Sequence, residues 1–237
     1  PVPGLFNTVK ILWLIYGGFT LLILISLKIM GLSFFDSLCH SMTTLSTGGY
    51  STYDASIEYF RIAGYKHFIF IEYIFIFGMF LGGTNFLVHY KLLYKKWDAL
   101  FKSTEMRYYF GFIFGATALI LLEVFLKTKN IGFSFKSLEE NFRIVLFQTV
   151  SIITTTGFGT KDINLPYFGA VARQIFLLLM VVGGCVGSTS GGVKIIRITI
   201  LMKLIKRELY KIFLPKNAIN YVVVDKKNIS IGEVYGV

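Results

Sequence analysis

A segment rich in hydroxyl side chains and glycine occurs twice in this chain. Residues 41–54 read SMTTLSTGGYSTYD, and residues 149–162, 108 positions later, read TVSIITTTGFGTKD. In this register Gly49 coincides with Gly157. Backbone carbonyl and hydroxyl oxygens can replace the hydration shell of a monovalent cation without adding a full negative charge. The repeat therefore predicts a pair of ion-coordinating loops rather than a catalytic site.

Both copies have the backbone chemistry that a row of carbonyl ligands requires. Pointing successive carbonyls to one side needs positive φ angles, which glycine adopts at little cost. The aromatic residue after each shared glycine can wedge the loop against its surroundings. A simple turn satisfied by Ser and Thr is the alternative, but two copies in the same place favour an ion site of unspecified selectivity. The candidate ion-binding residues are Thr47, Gly48, Gly49, Tyr50, Thr155, Thr156, Gly157 and Phe158.

A second unusual stretch, GGCVGSTSGG at residues 183–192, contains too much glycine for a straight helix. In a lipid environment such backbone survives only where it is buried in protein or lines a water-filled cavity. A phosphate-binding loop would need Lys directly after its last glycine, but Val193 follows Gly192. A glycine patch for helix packing is the milder alternative. We predict a mobile gating loop formed by Gly183, Gly184, Gly187, Ser188, Thr189, Gly191 and Gly192.

The elements that position these loops are membrane helices. Apolar residues make up 54% of the chain and charged residues only 16%. Uncharged runs close to the roughly 20 residues that cross a bilayer predict spans at about residues 11–30, 68–93, 108–125 and from 168 onward. The net charge of +11 is concentrated after the second and fourth spans. This distribution marks the cytoplasmic side of a membrane and argues against nucleic-acid binding.

Between the paired spans lie apolar segments too short to cross, residues 34–46 and 138–154. Each fits a re-entrant half-helix whose partially negative C-terminus points toward one repeated loop and favours a cation. The predicted fold is all-α and integral to the membrane, with tandem span–pore helix–span repeats. The second span of the latter repeat is broken by the glycine-rich loop. Predicted capping boxes at the half-helix starts are Ser33 with Asp36 and Ser137 with Glu140.

The chain divides into three parts on this interpretation. Residues 1–105 form the first membrane repeat, and residues 106–214 form the second repeat with a basic cytoplasmic helix from about residue 194. Residues 215–237 form a cytoplasmic linker, with a short strand at 220–225. Because Pro1 is not an initiator, we expect the chain to be part of a longer protein.

The remaining polar residues indicate no other chemistry. The three histidines lack ligand spacing, and no nucleophile–base pair suggests an enzyme. Cys39 and Cys185 are interpreted as packing residues rather than a disulfide. Glu72 and Glu123 lie near the outer ends of spans, where we expect ion pairs with Arg or Lys rather than a proton relay.

Three motifs resemble those of the Trk, Ktr and HKT superfamily of potassium transporters, and specifically of TrkH membrane subunits of bacterial Trk systems. They are STGGYSTYDAS at residues 46–56, TTTGFGTKD at 154–162 and GGCVGSTSGGVKIIR at 183–197. The resemblance implies four repeats around one pore, of which this chain supplies the second and third. Gly49 and Gly157 are then filter glycines, and the carbonyls of Thr47, Gly48, Thr155 and Thr156 line the ion sites.

The resemblance also implies potassium uptake, gating by residues 183–192, and no cofactor beyond the transported K⁺. It implies a multi-pass protein of the bacterial inner membrane that forms homodimers, contacts membrane lipid and binds a cytosolic TrkA-like ring of nucleotide-binding subunits. Ser190 departs from the family, which usually has glycine there, and predicts a slightly stiffer loop. The alternative is a non-conducting structural or regulatory subunit with a degenerate pore.

Overall fold

A computed structural model describes residues 4–95, 97–127, 135–213, 222–224 and 227–229. The first repeat contains a long helix, a half-helix, a short surface helix and a bent helix pair. Their bounds are α1 Leu5–Ile29, α2 Phe34–Leu45, α3 Glu58–Ile62, α4 Phe68–Gly83 and α5 Phe86–Leu93. The half-helix predicted for residues 34–46 is therefore confirmed. Its predicted cap is confirmed too, because the Ser33 Oγ accepts a hydrogen bond from the Asp36 amide at 3.0 Å.

The second predicted span is sharply bent. The axes of α4 and α5 meet at 103°. The bend lies at residues 82–85, which read GGTN and are interpreted from the sequence as a weaker version of the glycine-rich segment of the last span. The bend has a local cause, since the glycine pair at 82–83 weakens the end of α4. Asn85 then starts a new helix by accepting a hydrogen bond from the Leu87 amide through Oδ1 at 2.8 Å.

The second repeat follows the same plan and ends in a basic helix and a hairpin. Its elements are α6 Asp98–Phe101, α7 Thr104–Lys127, α8 Phe135–Ile153, α9 Ala170–Val181, α10 Ile195–Lys211, β1 Val222–Val224 and β2 Lys227–Ile229. The predicted cap at Ser137 is wrong, because α8 begins at Phe135 and Ser137 lies inside it. The strand predicted at 220–225 is confirmed as β1, which pairs with β2 in antiparallel orientation.

Only some of the helices could cross a bilayer alone. By length and composition these are residues 6–29 of α1 and residues 104–127 of α7, with the bent α4–α5 pair as a third candidate. Helix α9 has 12 residues and extends about 18 Å. The chain then continues through non-helical residues 182–194 into α10. A broken second span in the latter repeat, as the sequence predicted, is confirmed.

The half-helices lie at the centre of the fold. Helix α2 packs on α1 and α4, and α8 packs on α4, α7 and α9. Contact between α4 and α8 joins the two repeats. Buried aromatic residues, among them Phe60, Phe75 and Phe158, fill the space between them. This arrangement directs the C-terminal ends of both half-helices into the interior of the molecule.

Candidate ion-conduction site

The two repeated loops have the same backbone conformation. Positive φ angles occur at Thr47 (53°) and Gly49 (67°) in the first loop, and at Thr155 (55°) and Gly157 (88°) in the second. A threonine in the left-handed region is unfavourable by roughly 1–2 kcal/mol. The same strained pattern therefore occurs twice, at equivalent positions, which a chance turn would not produce.

A shared hydrogen-bond pattern maintains this conformation. The Thr43 carbonyl, near the end of α2, accepts hydrogen bonds from the amides of Gly48 (2.8 Å) and Gly49 (3.3 Å). The carbonyl of Ser151, the equivalent residue of α8, accepts from the two equivalent amides at 2.9 and 3.3 Å. The loop amides are thus bound to the half-helices.

Hydroxyl side chains support the outer part of each loop. The Thr43 Oγ1 donates to the Tyr50 carbonyl at 2.8 Å, and the Ser151 Oγ donates to the Phe158 carbonyl at 2.6 Å. Between these anchors, no hydrogen bond among the described residues ends on the carbonyls of residues 47–49 or 155–157. These oxygens are available as cation ligands. Thr43 and Ser151 are not among the residues predicted from the sequence, although both carry a hydroxyl at the same offset in the repeat.

The two loops approach each other closely at one point. A Cβ atom added to Gly49 would lie 1.8 Å from the carbonyl oxygen of Thr156. At Gly157 an added Cβ would meet no described atom within 4 Å, although its φ of +88° still favours glycine. Gly49 is therefore required both for its backbone angle and for contact between the loops, whereas Gly157 is required for its angle.

The aromatic residues of the two loops differ in environment. Phe158 is fully buried, and its ring centroid lies 5.3 Å from that of Phe75 and 6.2 Å from that of His40. It packs as the predicted wedge. Tyr50 is 77% exposed and does not wedge its loop among the described residues.

The first loop is anchored on its outer side by a carboxylate. Asp36, in the first turn of α2, accepts hydrogen bonds from the hydroxyls of Ser33 (2.6 Å), Thr52 (2.7 Å) and Tyr53 (3.0 Å). Thr52 and Tyr53 belong to the segment that leaves the loop. The capping carboxylate of the half-helix therefore also holds the exit of the loop.

The second loop is anchored by an arginine from the first repeat. The Arg61 Nη2 donates to the Thr160 carbonyl at 2.5 Å and to Glu58 Oε1 at 2.9 Å. The next residue, Lys161, lies with its ammonium 3.9 Å from the centroid of the Tyr167 ring. Burial, and secondarily repulsion from Arg61, lower the pKa of the Lys161 ammonium.

The glycine-rich segment lies against both half-helix ends. The Thr189 Oγ1 is within hydrogen-bond distance of the Leu45 carbonyl (2.8 Å) and the Gly82 carbonyl (3.0 Å). The Gly191 amide donates to the Thr155 Oγ1 at 2.6 Å. The predicted gating residues are therefore brought directly beside the candidate ion-binding residues.

Side chains within and beside this segment hold it in place. Ser190 accepts through Oγ from the Gly184 amide at 3.0 Å, and its carbonyl accepts from the Lys194 ammonium. The Val186 amide donates to Glu105 Oε1 of α7 at 2.7 Å. We refer to residues 183–192 as the strap. Hydrogen bonds hold it to α2, α4, α7 and the second loop.

The two glutamates singled out in the sequence have different partners. Glu72 of α4 forms an ion pair with Arg143 of α8, as predicted, and both side chains are almost completely buried. Glu123 accepts hydrogen bonds from the amides of Val171 (3.1 Å) and Ala172 (2.7 Å) at the start of α9. Among the described residues no group of His, Cys, Asp and Glu could hold a metal ion, and Cys39 and Cys185 are free thiols.

Comparison with known proteins decides the family. The family model TrkH, described as a cation transport protein, matches residues 2–231. The chain belongs to the TrkH family. As a member of this family it is a multi-pass membrane protein, in agreement with its apolar helices.

Individual TrkH proteins give the same result. The Trk system potassium uptake protein TrkH of Halomonas elongata is 31% identical over 231 residues, which is 97% of this chain and 45% of that protein. Its counterpart in Escherichia coli K12 is 34% identical over 215 residues, or 90% of this chain and 42% of that protein. The crystal structure of the potassium transporter TrkH from Vibrio parahaemolyticus superposes with a TM-score of 0.85 and 28% identity.

This superposition covers 100% of the present chain and 49% of the Vibrio chain. The chain thus spans somewhat less than half the length of the TrkH proteins that it matches.

Proposed function

We propose that this chain supplies two of the loops of a potassium-selective pore and takes part in potassium uptake. The observation that carries the proposal is the duplicated loop geometry, in which Thr43 and Ser151 bind the loop amides and leave a row of carbonyls unbonded. Such carbonyls coordinate K⁺ without a full charge that would hold the ion too tightly. The half-helix C-termini add a partial negative charge at the same place. K⁺ is the cargo of this site, and no cofactor is required.

We further propose that residues 183–192 gate this pore. The strap contacts the end of the first half-helix through the Thr189 hydroxyl and the second loop through the Gly191 amide. Two backbone hydrogen bonds hold it to α4, from the Cys185 amide to the Gly83 carbonyl and from the Thr189 amide to the Gly82 carbonyl, and both must break when the strap moves. Movement of the strap away from Leu45 would open the route below the ion-binding loops.

The names of the relatives support a proposal for the partners and the location. Relatives of this chain are named Trk system potassium uptake proteins. We propose that the complete protein is a homodimeric transporter of the bacterial inner membrane rather than an enzyme, and that its basic cytoplasmic face contacts a TrkA-like nucleotide-binding ring. The cluster of Lys and Arg on α10 supports this assignment.

The decisive experiment measures K⁺ and Na⁺ flux in liposomes that contain the full-length parent protein, with and without Gly157→Ser. We expect selective K⁺ flux in the parent and a roughly tenfold loss of K⁺ preference in the variant. A side chain at φ +88° disturbs the carbonyl row but meets no described atom.

Gly115→Ser, at a helical glycine of α7 that also has open space around it, is the matched control and should leave the preference unchanged. Retained selectivity in Gly157→Ser would remove Gly157 from the filter. Absence of flux in the parent, with and without its regulatory ring, would favour a non-conducting subunit with a degenerate pore.

A further inference from the structure

The break between α4 and α5 lies against the strap. Only two residues leave helical geometry there: Thr84 has φ −93° and ψ 149°, and Asn85 has φ −61° and ψ 123°. Because a helix needs ψ of about −42°, rotation mainly about these two ψ bonds would convert the bent pair into one continuous helix. We propose that the strap and the straight form of α4–α5 compete for the same backbone groups, and that Asn85 is the positioning residue that keeps the pair bent.

The strap binds carbonyls that a continuous helix would use itself. In an α-helix the amide of each residue donates to the carbonyl four positions earlier, so Phe86 would donate to Gly82 and Leu87 to Gly83. In the bent pair the Gly82 and Gly83 carbonyls accept instead from two amides of the strap, at 3.1 and 2.9 Å. The strap therefore supplies the donors that the missing helix turn would have supplied.

The two amides of that missing turn are also bound from elsewhere. The Phe86 amide donates to the Gly187 carbonyl of the strap at 3.1 Å, and the Leu87 amide donates to Asn85 Oδ1 at 2.8 Å. Three of the four backbone groups are thus bound by the strap and the fourth by Asn85. Unpaired backbone groups are costly inside a membrane, and straightening of α4–α5 pairs all four with one another when the strap leaves.

The two arrangements exclude each other sterically. The last carbonyls of a helix point along its axis, so strap amides that bind them occupy the place of the next turn. A Cβ atom added to Gly184 of the strap would lie 2.6 Å from the Gly83 carbonyl oxygen, which shows that the strap and the end of α4 pack backbone against backbone. Helix α5 therefore cannot come into line with α4 while the strap is in place. The effect on flux rests on the proposed gating role of the strap, whereas the exchange of hydrogen bonds does not.

A buried histidine of α5 reinforces the bent form. The His89 Nε2 lies 3.0 Å from the Leu81 carbonyl, and since a carbonyl can only accept, Nε2 carries the hydrogen. In a continuous helix the same carbonyl would accept from the Asn85 amide. Side chains from both sides of the break thus take the part of helical hydrogen bonds, and Asn85 is the one that does so at the first turn of α5.

The test measures the distance between the two ends of the helix pair in the full-length parent protein in lipid nanodiscs. Spin-labelled amino acids replace Phe70 and Leu93, and pulsed electron double resonance is recorded on labelled subunits diluted with unlabelled ones. The bent pair gives about 20 Å and a continuous helix about 35 Å. Asn85→Leu removes the Oδ1 acceptor and should raise the ratio of the long to the short distance about fivefold, with a similar rise in K⁺ flux in liposomes. Asn85→Ser keeps a capping oxygen and should restore both values of the parent.

A second variant acts in the opposite direction. Phe86→Pro lacks the amide hydrogen that a continuous helix needs, but proline suits the first position of α5, and the extended angles of Asn85 suit the residue before a proline. It should abolish the long distance and lower K⁺ flux relative to Phe86→Ala, which truncates the same side chain and keeps the amide. Tyr90→Leu places leucine in α5 away from the break and should change neither quantity.

The outcomes separate this inference from the gating role. An unchanged distance distribution in folded Asn85→Leu would overturn the exchange, and so would a long distance in Phe86→Pro. A longer distance in Asn85→Leu without a change in flux would support the exchange and overturn the gating role of the strap.

Discussion

Hydroxyl and carboxylate oxygens near the half-helices control the geometry of each ion-binding loop. The Thr43 and Ser151 hydroxyls are uncharged. Each donates one hydrogen bond to the last carbonyl of its loop, that of Tyr50 at 2.8 Å and that of Phe158 at 2.6 Å. Asp36 differs from them because it is charged and binds three hydroxyls at once. Hydrogen bonds to a charged group contribute about 1.5–3 kcal/mol each, roughly twice the contribution of neutral ones. The largest effect of a single conservative substitution near the first loop is therefore expected at Asp36.

Replacement of Asp36 with Asn should destabilise the protein by about 2 kcal/mol and lower the preference for K⁺ over Na⁺. The amide keeps the shape of the carboxylate but loses its charge and replaces one acceptor oxygen by an NH₂ group, so either Thr52, bound at Oδ1, or Tyr53, bound at Oδ2, loses its acceptor. Thermal unfolding and ion flux of the full-length parent measure the two effects. Asp98→Asn is the control, because its pair with Lys102 is highly exposed and contributes little. Unchanged selectivity in Asp36→Asn would show that the outer anchor does not shape the loop.

At the scale of elements, the contact between the strap and the first half-helix is a candidate for control of flux. A single hydroxyl, that of Thr189, reaches both the Leu45 carbonyl at the end of α2 and the Gly82 carbonyl at the end of α4. One hydroxyl hydrogen can serve only one of these acceptors fully at a time. The strap is thus held by a bond that can shift between two elements.

Thr189→Val should raise K⁺ flux by about fivefold, since loss of one net hydrogen bond of about 1 kcal/mol favours the displaced strap. Valine keeps the volume and β-branching of threonine, so packing changes little. Thr189→Ser keeps the hydroxyl and should behave as the parent in the same liposome flux assay. Lower flux in Thr189→Val than in Thr189→Ser would contradict a closing role for this bond.

The elements also show which features the sequence could predict. Local composition predicts the half-helices, the loop glycines and the broken last span. The length of an apolar run and its content of glycine and hydroxyl residues determine whether the next few residues continue a helix or leave it. The stretch at residues 82–85 is recognisable in the sequence as a weak break, but its composition does not fix the 103° angle of the bend. The Asp36 and Arg61 anchors join residues distant in sequence, and no local pattern encodes their partners.

At the scale of the whole molecule, a buried ion pair between described residues joins the repeats. Glu72 belongs to α4 of the first repeat and Arg143 to α8, the half-helix of the second. Arg143 also binds Glu139 at 2.9 Å, and its guanidinium lies 5.4 Å from the centroid of the Phe68 ring. The Glu72 Oε1 has no hydrogen-bond partner among the described residues. The contact therefore combines a strong attraction with an incompletely satisfied buried charge.

Such a pair is expected to set the register of the repeats more than to stabilise them. Arg143→Met leaves the buried Glu72 carboxylate without a counter-ion and should lower the free energy of unfolding by about 3–5 kcal/mol. Glu72→Leu leaves Arg143 paired with Glu139 and should lower the free energy of unfolding by less. The double variant replaces both buried charges by apolar groups and leaves only the partly exposed Glu139 without its arginine, so it should lose less stability than Arg143→Met. A double-mutant cycle of unfolding free energies, measured on the full-length parent in detergent, gives the coupling free energy between Glu72 and Arg143. The exposed pair Asp98 and Lys102, replaced by alanine singly and together, should show coupling below about 1 kcal/mol.

Flux in the same double variant separates stability from geometry. If the pair sets the position of α8 relative to α4, the stable double variant should fold but lose K⁺ preference, because the second loop follows directly from the end of α8. If the pair only neutralises two buried charges, the double variant should be both stable and selective. A double variant as unstable as Arg143→Met would contradict both possibilities, since it would mean that the charges themselves supply the net stability of the contact between the repeats.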